Sequence, residues 1–362
     1  MSSIASLFFL LILIVSGSGL AGEARSKFEP PEGRVLHGWG QHTILYQKET
    51  LPYIESCGRY CALISLYTDL SIVNGAGPEL IFYAKEKNPK FVEGLDDAEI
   101  KMFIENYFPT PAQFGAFRKI TGKNYIPLIA VSWHRSNDRN ISEGMHDREI
   151  ETLAEQVKSC GFPVFLRPGS ECGPYGYNDK TGQTSREYYA KMFRRFVDIF
   201  RKKGVENASF VWCTVGVEAY DYWMDYYAGD DYVDWWGVNL FSRNQITGCG
   251  SFLEEAKKHG KPVMICESAP AFEGGTLSDN SIDSFFKPFF ELFDRHGHIK
   301  AFVYINIDWA AEKGSPFAHW PDSRIQSNPK AAGFYRAAIS HPRFVHLGDI
   351  QSTKKLQEML GP

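Results

Sequence analysis

The feature that most constrains the fold is a series of eight short apolar runs, most of them separated by amphipathic segments of helical length. Strands are predicted at 34–38, 61–67, 125–132, 162–167, 208–213, 234–240, 262–266 and 299–305. These runs are continuously hydrophobic instead of alternating, which is typical of parallel strands buried on both faces. Helices are predicted between or after them at 147–159, 185–203, 251–259, 282–295 and 329–340.

Eight strands that alternate with helices predict an α/β protein with a single-domain (β/α)8 barrel. We place the barrel at residues 30–348 and a C-terminal tail at 349–362. The competing fold is a doubly wound open sheet. It is less favoured because the first strand-to-helix turn, HGWGQH, lacks the phosphate-binding GxGxxG pattern of that fold.

The first residues have the layout of a secretory signal. An apolar run at 4–15 is followed by small residues, so residues 1–21 are predicted to be a cleaved signal peptide, with cleavage possible as late as Ala24. A membrane anchor is less favoured because a spanning helix needs about 20 apolar residues. The predicted location is extracellular. Glycosylation is expected at sequons 140–142 and 207–209 if a eukaryotic pathway exports the chain.

Composition excludes some classes of partner. The 39 basic and 43 acidic residues leave a net charge of −4, without the electrostatic signature of a nucleic-acid or membrane binder. Seven cysteines are an odd number, so at least one is unpaired or pairs outside the chain. There is no HExxH motif and no repeated CxxC pair, so no metal and no cofactor are predicted. We expect a monomer.

In a barrel of this type, chemistry belongs at the C-terminal ends of the strands. The residues that follow the predicted strands combine acids, amides, an arginine, a histidine and aromatic rings. They are Trp39, Gln41, Trp133, His134, Arg167, Ser170, Glu171, Asn239, Phe241, Glu267, Asn306, Asp308 and Trp309. Such a rim predicts a polar cleft with aromatic walls. Trp39 and Trp133 are either sugar platforms or core residues, and His134 is either a sugar-hydroxyl partner or a rim histidine.

Glu171 and Glu267 are lone acids directly after apolar strands. Each alone has a simpler interpretation, an ion pair with Arg167 or a helix cap. Together they meet the requirement for glycoside hydrolysis with retention, which needs one acid/base and one nucleophile about 5–5.5 Å apart. The acid/base must start protonated and the nucleophile ionised, a state that a hydrogen bond from Arg167 favours.

The same residues carry a resemblance to clan A glycoside hydrolases and, within them, to glycoside hydrolase family 26, with its endo-β-mannanases and β-1,3-xylanases. The matching segments extend from about residue 34 to 345 and are VSWH (131–134), LRPGSE (166–171), FVW (210–212), AGDDYVDWWGVNLF (228–241), KPVMICES (261–268) and YINIDW (304–309). The resemblance implies Glu171 as acid/base and Glu267 as nucleophile. It also implies Arg167 and His134 as their neighbours and Trp309 as a stacking platform.

The chain departs from the family pattern at three places. Ser170 stands where the clan usually has Asn and the mannanases His, and residues 172–177 replace a Met-Asn-Gly and Trp-rich stretch. Phe241 stands where a tyrosine commonly touches the nucleophile. Ser170 can still donate to a sugar hydroxyl, and Tyr175 or Tyr177 can still stack on a sugar ring.

The prediction is therefore a secreted retaining endo-β-glycosidase acting on a wall polysaccharide or its oligosaccharides, of the β-mannan or β-xylan type. The remaining candidate substrate-binding residues are Asn239, Asp308 and Trp133. The alternative is a carbohydrate-binding barrel that has lost turnover, suggested by Ser170 and Phe241. A metal-dependent hydrolase is less favoured because ligand clusters are missing. Cys266 is predicted to face the outer helices, since adjacent strand residues point in opposite directions.

Overall fold

The computed structural model of the chain describes residues 25–40, 53–87, 93–107, 109–133, 136–173, 185–271, 276–311 and 319–360. Eight parallel strands form the centre, and they are β1 (Val35–Gly40), β2 (Leu63–Asp69), β3 (Ile126–Ser132), β4 (Val164–Pro168), β5 (Ala208–Thr214), β6 (Trp235–Leu240), β7 (Val263–Ser268) and β8 (Ile299–Ile305). Each strand pairs with the next along the chain, and β1 pairs with both β2 and β8. The sheet therefore closes into a (β/α)8 barrel, as predicted.

Helices surround the barrel. They are α1 (Pro78–Lys87), α2 (Asp97–Tyr107), α3 (Pro111–Thr121), α4 (Asp138–Ser142), α5 (Asp147–Cys160), α6 (Tyr189–Lys202), α7 (Arg243–Gly248), α8 (Gly250–Lys258), α9 (Lys287–Arg295), α10 (Pro329–Ile339) and α11 (Thr353–Leu360). A π-helical turn at Ile282–Phe286 leads directly into α9. Each of the five predicted helices overlaps an observed one. The three helices between β2 and β3 were not predicted. Residues of this region, Ile72, Ala76, Ile100 and Ile104, form a small core that is separate from the main one.

Strand β1 approaches its neighbours closely, which requires glycine at two positions. A Cβ on Gly38 would lie 2.7 Å from the Phe302 carbonyl oxygen, and one on Gly40 would lie 2.7 Å from the Cβ of Ser65. Larger residues at these sites would push β1 away from β8 and β2. The tryptophan between them, Trp39, is only 2% exposed and therefore packs as a core residue.

The packed structure extends beyond residues 30–348 at both ends. Phe28 is buried against Phe165, and the indole N–H of Trp235 donates to the Lys27 carbonyl at 2.8 Å. After β9 (Phe344–Val345), which adds to β1, helix α11 buries Leu356 and Leu360 in the main core. The predicted tail thus contains a helix docked on the barrel.

The seven cysteines are all free thiols, and six of them are buried. No helix in the ranges described above has the length and apolar character that crossing a membrane requires.

Candidate active site

Glu267 lies in β7 and is almost fully buried, at 4% exposure. Its Oε1 accepts two hydrogen bonds, from Tyr67 Oη at 2.6 Å and from Arg167 Nη2 at 2.6 Å. Arg167 Nη2 also donates to Tyr67 Oη at 3.3 Å, which makes a closed triangle of side chains from β2, β4 and β7. Short bonds of this kind to a carboxylate are charge-assisted. The triangle therefore holds the Glu267 carboxyl group in a fixed position.

The two donors stay protonated. Burial is the largest single effect and lowers the pKa of Arg167, but the negative charge of Glu267, together with smaller contributions from Tyr67, Cys213 and Cys266, holds that pKa well above its ordinary value. Burial, reinforced by the charge of Glu267, raises the pKa of Tyr67 well above its ordinary value. At neutral pH, Glu267 thus faces a protonated guanidinium and a protonated phenol.

A β-bulge turns Glu267 toward this triangle. In the pairing of β6 with β7, Val238 lies opposite Ile265 and Asn239 opposite Glu267, so Cys266 is an additional residue without a partner of its own. The prediction that Cys266 faces the outer helices is wrong. Its sulfur lies 2.8 Å from the place of a Cβ on Gly237, on the inner side of the barrel. The bulge brings two consecutive side chains inward, which strict alternation forbids.

Glu171 is positioned by a tight turn after β4. Gly169 and Ser170 both have left-handed backbones, with φ of 77° and 59°. A Cβ on Gly169 would lie 2.8 Å from the ring of Tyr189, so only glycine fits there. A left-handed backbone costs a residue such as serine about 1–2 kcal/mol, and strain of this kind concentrates at functional sites. The turn ends where Cys172 N donates to the Cys213 carbonyl at 2.9 Å, which fastens Glu171 beside β5.

Asn239 connects the two acids. It lies directly opposite Glu267 in the strand pairing, and its side-chain Nδ2 donates to Oε2 of Glu171. Glu171 is half-buried, whereas Asn239 is fully buried beneath it. The predicted acids therefore meet at one mouth of the barrel, and they differ in environment: Glu267 faces a cation and a phenol, and Glu171 an amide.

Three aromatic rings form a wall on the side of β6 and β8. Trp320 contacts both Phe241 and Trp309, with ring centroids 5.1 Å apart in each pair. Phe241 and Trp309 are each only 5% exposed, whereas Trp320 is partly exposed. Trp320 therefore offers more open ring surface than Trp309, the platform that the sequence suggested.

Asp308 and Asn306 fasten the segment that carries this wall. Asp308 Oδ2 accepts from Arg324 Nη2 at 2.9 Å, and Asn306 Oδ1 accepts from the backbone of Ile325 at 2.7 Å. Arg324 also forms an ion pair with Asp322 at 2.8 Å. The contacts of Asp308 are thus with its own loop, and its predicted role in substrate binding stays a prediction.

Trp133 lies beneath the turn before Glu171. It is buried, and its ring lies 3.2 Å from the place of a Cβ on Gly169. Its position supports the turn from below instead of presenting a ring face to the cleft. The other three predicted site residues, His134, Tyr175 and Tyr177, lie outside the described residues.

Asp138, at the start of α4, is a buried acid behind the turn. Its Oδ2 accepts from the backbone N–H of Ser185 at 2.9 Å. Burial raises the pKa of Asp138 to about 7, against the opposing effects of hydrogen bonds from Ser185 and Trp133. It ties the segment that begins at Ser185 to the turn region.

Sequence reasoning missed Tyr67 and Cys213. The residues taken from the strand ends came from every strand except the second and the fifth, which are the strands that carry these two. A signal was present in β2, where Ser65, Tyr67 and Asp69 are polar at alternate positions of an apolar strand.

In the described part of the chain, no group of three or more His, Cys, Asp or Glu side chains is arranged to hold a metal ion. The groups that meet at the mouth of the barrel are two carboxyls, a guanidinium, a phenol and an amide. This set can donate a proton and offer a carboxylate nucleophile.

Comparison with known proteins identifies a matching protein family. A model of Glycosyl hydrolase family 26 matches residues 99–291. The chain is 28% identical over 254 residues to the beta-1,3-xylanase TXYA of a Vibrio species, covering 61% of this chain and 53% of the relative. It is 26% identical over 258 residues to a beta-1,3-xylanase of an Alcaligenes species, covering 62% and 52%. The chain thus spans about half the length of these curated relatives.

Solved structures share the fold. An endo-β-1,4-mannanase double mutant of Cellulomonas fimi superposes with a TM-score of 0.58 at 17% identity, over 91% of this chain and 75% of that one. The catalytic domain of a Bacillus endo-β-1,4-mannanase gives 0.57 at 15% identity, over 90% and 91%. At these identities the likeness concerns the barrel and not the substrate.

Proposed function

Because the chain belongs to glycosyl hydrolase family 26, we propose that it is a secreted retaining endo-β-glycosidase that cleaves a β-xylan or β-mannan by double displacement. The observation that carries the proposal is the contrast between the two acids. The carboxyl group of Glu267 is buried and accepts hydrogen bonds from a cation and a phenol, whereas that of Glu171 is half-buried and accepts a hydrogen bond from an amide. Paired carboxyls in different environments take different roles.

The first step uses both acids. A carboxylate oxygen of Glu267 forms a bond to the anomeric carbon as the glycosidic C–O bond breaks. The electron pair of that bond leaves with the aglycone oxygen, which takes the proton of Glu171. Both donors of Glu267 converge on Oε1, so we assign the attack to Oε2. Asn239 donates to Oε2 of Glu171, so the proton of Glu171 is carried on Oε1.

The second step releases the sugar. Glu171, now a carboxylate, takes a proton from water while the water oxygen bonds to the anomeric carbon. Glu267 departs as a carboxylate and recovers its hydrogen bonds from Tyr67 and Arg167. These donors favour the second step because they stabilise the charge that returns to Glu267.

The location of Tyr67 argues for an enzyme over a binding protein that has lost turnover. Phe241 lacks the hydroxyl that touches the nucleophile in relatives, but Tyr67 reaches the nucleophile from β2. A phenol is therefore present on Glu267 although position 241 has none. The presence of Glu171, Glu267 and Arg167 together also supports turnover.

The names of the curated relatives indicate which substrate to test first. Two of them are beta-1,3-xylanases. The family model matches residues 99–291, which include Arg167, Ser170 and Glu171. A β-1,3-xylan is accordingly the first substrate to test, and a β-mannan is the second. Extracellular action rests on the apolar run at 4–15, and the mature protein should begin after Ala21 or Ala24.

Hydrolysis assays test the proposal. The secreted protein is incubated with β-1,3-xylan, β-1,4-xylan, mannan and mixed-linkage glucan, and the products are separated beside Glu171→Gln, Glu267→Ala and the matched control Glu187→Gln, an exposed acid on the surface. We expect oligosaccharides from at least one polymer with wild type and control, and none with Glu267→Ala. Added azide should restore cleavage of an activated glycoside by Glu267→Ala and yield the glycosyl azide of inverted configuration. Full activity of Glu267→Ala without azide would exclude Glu267 as the nucleophile.

A further inference from the structure

One buried thiol touches the supports of both acids. Cys213 lies in β5 with no exposed surface. Its sulfur accepts from Nη1 of Arg167 at 3.6 Å, and its S–H donates to Oδ1 of Asn239 at 3.5 Å. Arg167 in turn binds Glu267, and Asn239 binds Glu171. Among the described residues, Cys213 therefore contacts both the side chain that binds Glu267 and the side chain that binds Glu171.

The chemistry of the partners fixes the direction of each bond. A guanidinium has no acceptor, so the sulfur must be the acceptor toward Arg167. Asn239 uses Nδ2 to donate to Glu171, so its oxygen faces Cys213 and needs a donor. A thiol has one proton, and its shorter donation is to this oxygen at 3.5 Å, compared with 4.0 Å to the Thr214 carbonyl. Burial raises the pKa of Cys213 well above its ordinary value, and the thiol therefore keeps this proton.

Arg167 depends on this contact. Its guanidinium is fully buried, and Nε has no hydrogen-bond partner among the described residues. Nη2 serves Glu267 and Tyr67, which leaves the Cys213 sulfur as the acceptor recorded for Nη1. A buried cation with one unsatisfied donor is sensitive to the loss of a second.

We propose that Cys213 is a positioning residue that holds Arg167 and the amide of Asn239 in the orientations that Glu267 and Glu171 require. The inference rests on the proposed roles of the two acids. Within the described part of the chain, the side-chain hydrogen bonds of Cys213 go to Arg167 and Asn239, so it acts on the acids through these two neighbours. A thiol suits this place because one atom both accepts from a cation and donates to an amide, at the longer distances that sulfur allows.

Three variants test the proposal. Cys213→Ala removes both bonds and leaves a small cavity, whereas Cys213→Ser keeps a donor and an acceptor. The matched control is Cys249→Ala, which removes an equally buried thiol whose contact is with the Ile246 carbonyl of the outer helices. All three are compared with wild type by kcat/KM as a function of pH, and by the NMR titration of carboxyl carbons in protein labelled at the glutamate side chain. The Glu171 signal is identified by its disappearance in Glu171→Gln.

We expect kcat/KM to fall about five- to tenfold in Cys213→Ala, about the effect of one ordinary hydrogen bond, because the two bonds lost are long sulfur contacts. The alkaline limb of its pH profile and the midpoint of the Glu171 titration should both move to higher pH, because a loosened Asn239 stabilises the carboxylate less. Cys213→Ser should recover most of both effects, and Cys249→Ala should show neither. On an Asn239→Ala background, Cys213→Ala should cost less than it does alone.

Two results would overturn the proposal. One is a Cys213→Ala enzyme with the pH profile and Glu171 titration of wild type, even if its stability is lower. The other is a disulfide between Cys213 and Cys266 in the secreted protein, detected by mass after alkylation, because an oxidised sulfur has no proton for Asn239. If wild type cleaves no glycan, the proposed function fails, and the carboxyl titration still decides the role of Cys213.

Discussion

Replacing Tyr67 with Phe separates the two chemical steps. The substitution keeps the ring and removes only the hydroxyl that donates to Glu267 Oε1 at 2.6 Å. Arg167 remains on the same oxygen. The carboxylate loses one of two donors, so it becomes a better nucleophile and a poorer leaving group. Release of the sugar from Glu267 should therefore slow more than its attachment.

The magnitude follows from the kind of bond lost. A hydrogen bond to a charged group contributes about 1.5–3 kcal/mol, and this one is short and buried. If the whole contribution falls on the second step, kcat drops about 10- to 150-fold. Because glycosyl-enzyme then accumulates, KM falls with kcat, and kcat/KM changes much less.

The assay is pre-steady-state hydrolysis of an aryl glycoside. Tyr67→Phe should release a burst of phenol equal to the enzyme concentration and then a slow steady rate, and intact mass should show the glycosyl-enzyme. Tyr335→Phe is the matched control, since Tyr335 is also buried but bonds to Tyr53 and His37 outside the site. Equal losses in kcat and kcat/KM, without a burst, would refute the division of labour assigned to Tyr67.

Two further predictions concern the cleft wall and the stability of the barrel. Trp320→Ala should raise KM for oligosaccharides about three- to tenfold and leave kcat nearly unchanged, because it removes a stacking surface. Isothermal titration checks this by comparing oligosaccharide affinity with and without Trp320→Ala in an inactive Glu171→Gln enzyme. Unchanged affinity would exclude Trp320 as a platform. Burial lowers the pKa of His37 and of His346. Below pH 6.5 the unfolded chain therefore takes up protons that the folded chain does not. The free energy of unfolding is full above pH 6.5 and falls below it, by about 1.4 kcal/mol per pH unit for each histidine. Urea unfolding at pH 7.0 and 5.5 should show a smaller pH dependence in His37→Gln than in wild type, and equal dependence would contradict the assignment.

The barrel could be predicted because its signal is local. Each strand is continuously apolar since both of its faces are covered, and the acids lie at strand ends, Glu171 in the turn after β4 and Glu267 near the end of β7. Glu171 and Glu267 stood out because an isolated charge after a buried run needs a buried partner or a function. Chain closure then follows from the number of strands. No long-range information is needed for any of these steps.

Tyr67 could not be ranked in the same way. A tyrosine in an apolar strand is an ordinary core residue, and its importance appears only when β2 and β7, 200 residues apart in the chain, bring its hydroxyl to Glu267. The departure at Phe241 suggested a weakened site because the sequence shows one strand at a time. In three dimensions the Tyr67 hydroxyl reaches Glu267 from β2, so a phenol contacts this carboxyl group although position 241 has none.

The bulge in β7 shows why alternation fails at this site. A regular strand would place Cys266 and Glu267 on opposite faces, and Glu267 would share the outer face with Ile265, which pairs with Val238, instead of standing opposite Asn239. The inserted residue changes the register by one after Val238. As a result, Glu267 lies opposite Asn239, which binds Glu171. The register shift arises from the pairing of β6 with β7, and it places Glu267 beside Asn239, the residue whose amide binds Glu171. The local sequence VMICES contains no clear signal for it, because it has neither glycine nor proline.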